Sequence, residues 1–275
     1  MLANLTLPKL IERDKFSHKG SYGHALIAAG SYGKMGAAVL SVKAALHSGA
    51  GLVTALVPEC GYDIMQISNP EAMVLVSGEK ELHEVLDLTS FNTIGVGPGI
   101  GTSESAADFL KNLLQQYRQP MVLDADVLNI ISGNEALLEL IPENSVLTPH
   151  VGEFRRLVGV WNSDNEEMEK LIALSVKHKL VTVLKGANTT VVSPEGKTYI
   201  NSTGNPGMAK GGSGDVLTGI ITSLLAQGYS STDAAVLGVY IHGLAGDFAK
   251  TDLGETAITA SDIISYLPQA FKTLE

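Results

Sequence analysis

Two features between Asn201 and Gln227 can do chemistry together: a glycine-rich loop and one carboxylate. The stretch reads NSTGNPGMAKGGSGDVLTGIITSLLAQ, in which Gly204, Gly207, Gly211, Gly212 and Gly214 leave the backbone bare and Pro206 fixes one φ. Val216 and Leu217, Ile220 and Ile221, Leu224 and Leu225 then recur at helical spacing, and Gly228 supplies a stop. Such a loop running into a helix aims unpaired N–H groups and the positive dipole end at one point, a setting that suits an anion. Asp215 sits where that helix begins. A carboxylate beside an anion site does not help to bind the anion, so Asp215 is either a helix cap or a base. As a base it would take a proton from a substrate hydroxyl while the amides from Gly211 to Gly214 stabilise charge on a transferring phosphoryl group. The helix N-terminus predicts a depressed pKa for Asp215 and an ionised carboxylate at neutral pH. Lys210 precedes the glycines instead of closing a GxxxxGK[ST] pattern, which disfavours a P-loop NTPase.

Elements that position such a loop are legible along the chain. Residues 1–20 read as an irregular lead-in. His24 to Ala29, Leu52 to Val57, Ala72 to Val76, Thr93 to Val96, Met121 to Leu123, Ser145 to Leu147 and Val181 to Leu184 read as short buried strands. Helices are expected from Gly36, from Ser103 to about Tyr117, from Met168 to Lys179, from Asp233 to Phe248 and from Thr259 to about Tyr266. Thr189 to Val192 and Lys197 to Ile200 flank the turn Pro194-Glu195-Gly196, a hairpin that delivers the chain into the glycine loop. Alternating strands and helices indicate a parallel sheet with helices on both faces, and in such sheets ligands sit beyond the carboxyl ends of the strands.

Every other cluster of interest falls at such an end. Gly30-Ser31-Tyr32-Gly33 follows the first strand; it lacks the dinucleotide fingerprint and reads equally as a structural turn or a ligand contact. The small residues Ala37 and Ala38 would admit a ligand close to the following helix. Gly97-Pro98-Gly99-Ile100-Gly101 bares backbone after the fourth strand. His150 follows Thr148-Pro149 and reads equally as a hydrogen-bonded structural histidine or a ligand contact. Lys185 either pairs with a phosphate or is a solvated lysine. Asp124, Asp126 and Glu153 either hold Mg2+ or cap helices; Gly152-Glu153 with Arg155 and Arg156 reads most simply as a short helix with a solvent-facing charge pair.

Composition bounds the function. The chain has 275 residues, 45% of them hydrophobic, enough for one full α/β core, and neither a repeat nor a linker divides it. A formal net charge of −10 without basic runs argues against nucleic-acid or anionic-membrane binding. The single cysteine, Cys60, excludes an internal disulfide and fits a reducing cytosol. The N-terminus has no signal-like apolar core and no stretch reaches membrane-spanning length, so a soluble cytoplasmic protein is expected.

Taken in order, HKGSYGHALIAAGS (18–31), GVGPGIG (95–101), VLDAD (122–126), TPHVGEF (148–154), LKGANT (184–189) and TGNPGMAKGGSGDVLTG (203–219) resemble the ADP- or ATP-dependent NAD(P)H-hydrate dehydratases. The last block is the specific one; each of the others is weak alone. The resemblance implies a single ribokinase-like domain over residues 1–275, a three-layer sandwich with a mostly parallel central sheet. It implies a hydro-lyase that phosphorylates the hydroxyl of the S epimer of NADH or NADPH hydrate and eliminates phosphate, with Mg2+ and an adenine nucleotide as co-substrate. Carried over to this chain, it makes Asp215 the base, with Gly212 and Gly214 in the anion site. Lys185, Gly186, Ala187, Asn188, Thr189 and Gly214 fall to the nucleotide, and Ala37, Ala38, Gly99, His150 and Asp215 to the hydrate. Lys210 departs from the threonine frequent in relatives. The resemblance further implies a homotetramer, and a separate epimerase in place of the fused epimerase domain that many relatives carry. Two rivals remain: a small-molecule kinase of the same fold, which would release a stable phosphorylated alcohol, and a nucleotide-binding regulator, which would have no need of Asp215.

Overall fold

The computed structural model describes residues 7–275; the first six residues of the expected lead-in lie outside the described residues. Nine strands form one sheet in the order β3-β2-β1-β4-β5-β6-β7-β8-β9. They are β1 (His24–Ala28), β2 (Leu52–Val57), β3 (Met73–Val76), β4 (Thr93–Val96), β5 (Val122–Leu123), β6 (Val146–Leu147), β7 (Val181–Leu184), β8 (Thr190–Val192) and β9 (Thr198–Ile200). The first seven run parallel, and β8 and β9 close the sheet antiparallel, as the Pro194-Glu195-Gly196 turn predicts.

Strand period 2 sorts the core between two faces. Leu26 and Ala28 of β1 enter one core with Phe109, Leu110 and Leu113 of α3 (Glu104–Gln116), Leu128 of α4 (Asp126–Gly133), Phe154 of α5 (Val151–Val158) and Leu171 of α6 (Asp164–His178). Ile27 points the other way, into a core with Val42 of α1 (Met35–Leu46) and Met65 of α2 (Tyr62–Ser68). On that same face Val122, Val146 and Val183 pack with α7 (Ser213–Ala226), α8 (Ser231–Leu253) and α9 (Ala260–Lys272). The result is the three-layer sandwich with helices on both faces. Among the described residues, no helix is long and apolar enough to cross a membrane.

Helix ends differ from the sequence reading where polar turns carry them. Helix α6 starts at Asp164 instead of Met168, because Ser163 caps the amide of Glu166 and three acidic residues occupy the first turn. Helix α9 continues through Pro268 to Lys272; burial of Leu267 and Ala270 outweighs the lost N–H. Helices α2 and α4 were not expected, the latter because its first turn is the polar strand-end triplet.

Helices α1 and α7 meet at Gly219. A Cβ there would overlap the Ser41 carbonyl and lie 2.9 Å from the Ala44 methyl. Gly219→Ala is expected to destabilise the fold by about 2 kcal/mol through overpacking, read as a lower urea midpoint with unchanged slope.

Candidate functional site

The site begins where α7 begins. Gly212 is its N-cap residue at φ 94°, and a Cβ there would lie 2.6 Å from Leu40 Cδ1 and 2.9 Å from the Ala260 methyl, so a bare, left-handed residue is required. Gly211 beside it faces open space. Asp215 occupies the first turn of α7 but is not its cap residue. Among the described residues no side chain or amide hydrogen-bonds its carboxylate, which leaves the oxygens free for a substrate proton.

Asp215 has a pKa raised to about 7, not depressed as the helix N-terminus predicts. Burial is the largest cause; the Asp124 charge adds to it, Lys185 opposes it, and Asp126 raises it further. Local sequence reports the dipole, whereas burial and the carboxylates of Asp124 and Asp126 are brought by tertiary packing and are invisible locally. A carboxylate that titrates near neutrality is better matched to general-base work than a strongly acidic one.

Asp124 is the pivot of the cluster. It is 1% exposed; one oxygen accepts from Lys185 Nζ at 2.7 Å and the other from Thr218 Oγ1 at 2.7 Å. Lys185 is therefore a half-buried, paired lysine at the end of β7, and its Nζ lies 3.3 Å from where a Cβ on Gly214 would stand. A side chain at Gly214 would crowd the ammonium at the helix start. Thr218 escaped the sequence reading; its signal is a polar residue one turn after Gly214 on an apolar helix.

The carboxyl end of β4 bends onto the same place. A Cβ on Gly97 (φ 129°) would overlap the Asp124 carbonyl. Between Asp124 and Asp126, Ala125 holds φ 52°, a conformation that costs about 1–3 kcal/mol in a non-glycine residue. That strained residue sends the two carboxylates apart. Asp126 accepts from the Gly101 amide at 2.8 Å and lies 3.4 Å from Lys34 Nζ.

Glu153 meets the cap reading, in the capping box of the expected short helix, but not the solvent-facing charge pair. It is buried, its Oε2 accepts from the His150 amide at 2.8 Å, and Lys185 Nζ stands 3.9 Å away. Burial pushes its pKa up, against the pull of Lys185. Arg155 and Arg156 do not pair with it: Arg155 lies over the Trp161 ring, and Arg156 donates to Asn129. His150 Nδ1 accepts from the amides of Gly152 and Glu153, completing a capping box, while its side chain remains 54% exposed. The structural reading of His150 holds for that nitrogen, and Nε2 stands 3.4 Å from Glu153 Oε1 on the half-exposed ring.

The residues that the resemblance groups around the hydrate divide. Gly99 and Ala37 adjoin, a Cβ on Gly99 falling 3.1 Å from the Ala37 methyl and 2.9 Å from the Lys34 carbonyl. Ala38 is fully buried toward Gly30, so its side chain offers no surface and its contribution is smallness. His150 lies across from Lys185, whose amide donates to Pro149. Among the residues that the resemblance assigns to the nucleotide, Gly186, Ala187 and Asn188 form an exposed turn closed by Thr189 Oγ1 on the Gly186 carbonyl at 3.0 Å. Lys210 donates to the Thr256 carbonyl and ties the glycine loop to the turn before α9.

Asp124, Asp126 and Glu153 do not form a metal cage. Each is engaged by protein N–H or O–H donors, and no group of three metal-binding side chains occurs among the described residues. A surface cavity of about 710 Å3 opens at the amino ends of the strands between Asn92, Asn144, Lys197 and Tyr229, away from this cluster.

A mostly parallel sheet with a glycine loop, an unpartnered carboxylate and a lysine at its carboxyl edge defines a ribokinase-like protein. The model of the NAD(P)H-hydrate dehydratase family matches residues 25–269. The chain belongs to that family. It is 40% identical over 278 residues to the bifunctional NAD(P)H-hydrate repair enzyme Nnr of Moorella thermoacetica, covering 97% of this chain and 52% of that relative. It is 38% identical over 253 residues to the ADP-dependent (S)-NAD(P)H-hydrate dehydratase of Neisseria meningitidis, covering 89% and 83%. A crystal structure of the ADP/ATP-dependent NAD(P)H-hydrate dehydratase of Bacillus subtilis, co-crystallised with ATP/Mg2+, superposes with a TM-score of 0.81 at 31% identity, covering 97% of this chain and 95% of that one. The chain thus spans about half the length of the bifunctional relatives it matches.

Proposed function

We propose that this protein dehydrates the S epimer of NADH or NADPH hydrate at the expense of ADP or ATP. The observation that carries this reading is Asp215: largely buried, titrating near 7, free of protein partners and beside a glycine-rich helix start. In this reading Asp215 takes the proton of the hydrate hydroxyl as that oxygen attacks the terminal phosphorus of the nucleotide. The amides of Gly212 and Gly214, with Lys185, hold the charge that develops on the phosphoryl oxygens. Hydroxide is a poor leaving group and phosphate a good one. The ring-nitrogen lone pair then expels phosphate, and loss of a proton from the adjacent ring carbon restores the dihydronicotinamide. Kinase machinery therefore suffices for a net dehydration.

Lys185 to Thr189 would carry the adenylate, and Gly99, Ala37 and His150 the hydrate, with Ala38 acting only through its size. Mg2+, bound to the phosphates, would neutralise part of their charge, in keeping with a cation that prefers phosphate and water to an all-protein cage. We also propose a cytoplasmic homotetramer that works together with an epimerase for the other hydrate. Ile67, Met73 and Val76, exposed on α2 and the edge strand β3, favour an interface there.

The test is recovery of dihydronicotinamide absorbance from hydrated NADH with Mg2+ and either nucleotide. No recovery with both nucleotides overturns the dehydratase reading, and a stable phosphorylated product identifies a kinase. The pKa of Asp215 adds a signature: kcat/KM for the hydrate should fall about tenfold per pH unit below about 7 and level off above it.

A further inference from the structure

One face of α8 lies under the whole loop that precedes α7. The Thr203 hydroxyl donates to the Tyr240 carbonyl at 2.9 Å. A Cβ on Gly243 would overlap Thr203, and one on Gly246 would overlap the Met208 side chain, so both glycines are required by close approach. Asp247 then grips the loop with both oxygens, accepting from the Gly204 amide and from Asn205 Nδ2, each at 2.9 Å. Asn205 in turn uses its Oδ1 to cap the Gly207 amide at 3.1 Å. At the far end His242 Nε2 lies 3.2 Å from the hydroxyl of Ser213, the first residue of α7. Positions 240, 243, 246 and 247 are spaced to share one side of a helix, with 242 beside them.

We propose that Asp247 and His242 are positioning residues that clasp the loop Thr203–Ser213 at its two ends and hold its amides in register for the nucleotide phosphates. The proposal rests on the assignment of this loop to the nucleotide. Asp247 sets the entry, where glycine leaves the backbone free to drift. His242 sets the exit; burial pushes its pKa down to about 4, so the ring is neutral and adds no charge behind the anion site. Neither residue touches the reacting atoms in this arrangement; both act through the loop.

The test exploits the polarity of the Asp247–Asn205 pair. In Asp247→Asn the amide satisfies Gly204 but turns its own NH2 toward that of Asn205, unless Asn205 flips and loses its cap on Gly207. The double variant Asp247→Asn with Asn205→Asp restores every donor–acceptor match with the polarity reversed. ADP affinity is measured by calorimetry without hydrate, and KM for ADP and for hydrated NADH by turnover. The single variant is expected to weaken ADP binding and raise its KM about tenfold, with the hydrate KM changed less than twofold, and the double variant to recover most of the loss. His242→Ala should raise the ADP KM in the same selective way. An ADP affinity within twofold of wild type in both single variants overturns the proposal, as does an equal rise in both KM values accompanied by a fall in melting temperature. Absence of turnover in the wild type would count against the dehydratase reading instead, and calorimetry would still read the clasp.

Discussion

Replacing Asp215 with asparagine is expected to lower turnover about a thousandfold while leaving nucleotide affinity within a few-fold of wild type. The amide keeps the shape of the side chain but accepts no proton, and the glycine amides and Lys185 proposed to face the phosphates are untouched. The same substitution should stabilise the unliganded protein at alkaline pH. With a folded pKa near 7 against an unfolded value of 3.8, native Asp215 holds a proton across a window in which the unfolded chain has lost it. The native state then binds more protons, so this group's contribution is fully present below about pH 4 and is lost as pH rises through about 7. Asparagine removes that loss. The melting temperature should therefore rise by a few degrees at pH 8 and hardly change at pH 4. A base held in a destabilising setting predicts both results together; a helix cap predicts a lower melting temperature and no thousandfold loss.

Lys185→Met should be the most damaging single change to the cluster. Asp124, 1% exposed, would keep Thr218 but lose its cation, and breaking a buried pair from one side costs about 3–5 kcal/mol. The value should fall near the lower end because Lys185 retains 20% exposure. Function changes too. Lys185 lowers the pKa of Asp215, so its loss moves the acid limb of the pH–rate profile above about 7. Nucleotide affinity should drop with the lost charge. The checks are urea denaturation, a pH–rate profile and ADP binding. Unchanged stability would contradict the pairing with Asp124, and an unmoved acid limb would contradict its coupling to Asp215.

What could be read from the residues was mostly what local pattern dictates. Short apolar runs between glycine turns gave the strands of the sheet close to their observed limits, because a parallel strand buried on both faces is a continuous apolar run; β3, expected to be buried, is instead an edge strand with Met73 and Val76 exposed. The hairpin was legible from Pro194-Glu195-Gly196, and the loop-to-helix junction from its glycines and apolar pairs. What escaped was set by tertiary contact. The rise in the pKa of Asp215 comes from burial and from Asp124, ninety-one positions away. Glu153 looked like part of a surface charge cluster with Arg155 and Arg156, yet the cap at His150 turns it inward beside Lys185. Asp124 looked like a metal ligand or a cap because its partners, Lys185 and Thr218, lie on β7 and α7. His242 and Asp247 drew no notice in the sequence, since their partners Ser213 and Asn205 lie 29 and 42 positions earlier. The resemblance carried the roles of Gly99, Ala37 and His150, and geometry adds that Gly99 and Ala37 adjoin while the Ala38 side chain is sealed in the core.

The central claim is that the hydrate oxygen leaves as phosphate. It is tested most directly by placing a heavy-oxygen label in the hydroxyl of hydrated NADH and analysing the products of one turnover with ADP and Mg2+. Attack by that hydroxyl on phosphorus followed by elimination predicts one labelled oxygen in the released inorganic phosphate and unlabelled AMP. Label recovered in water, with unlabelled phosphate, would contradict the account.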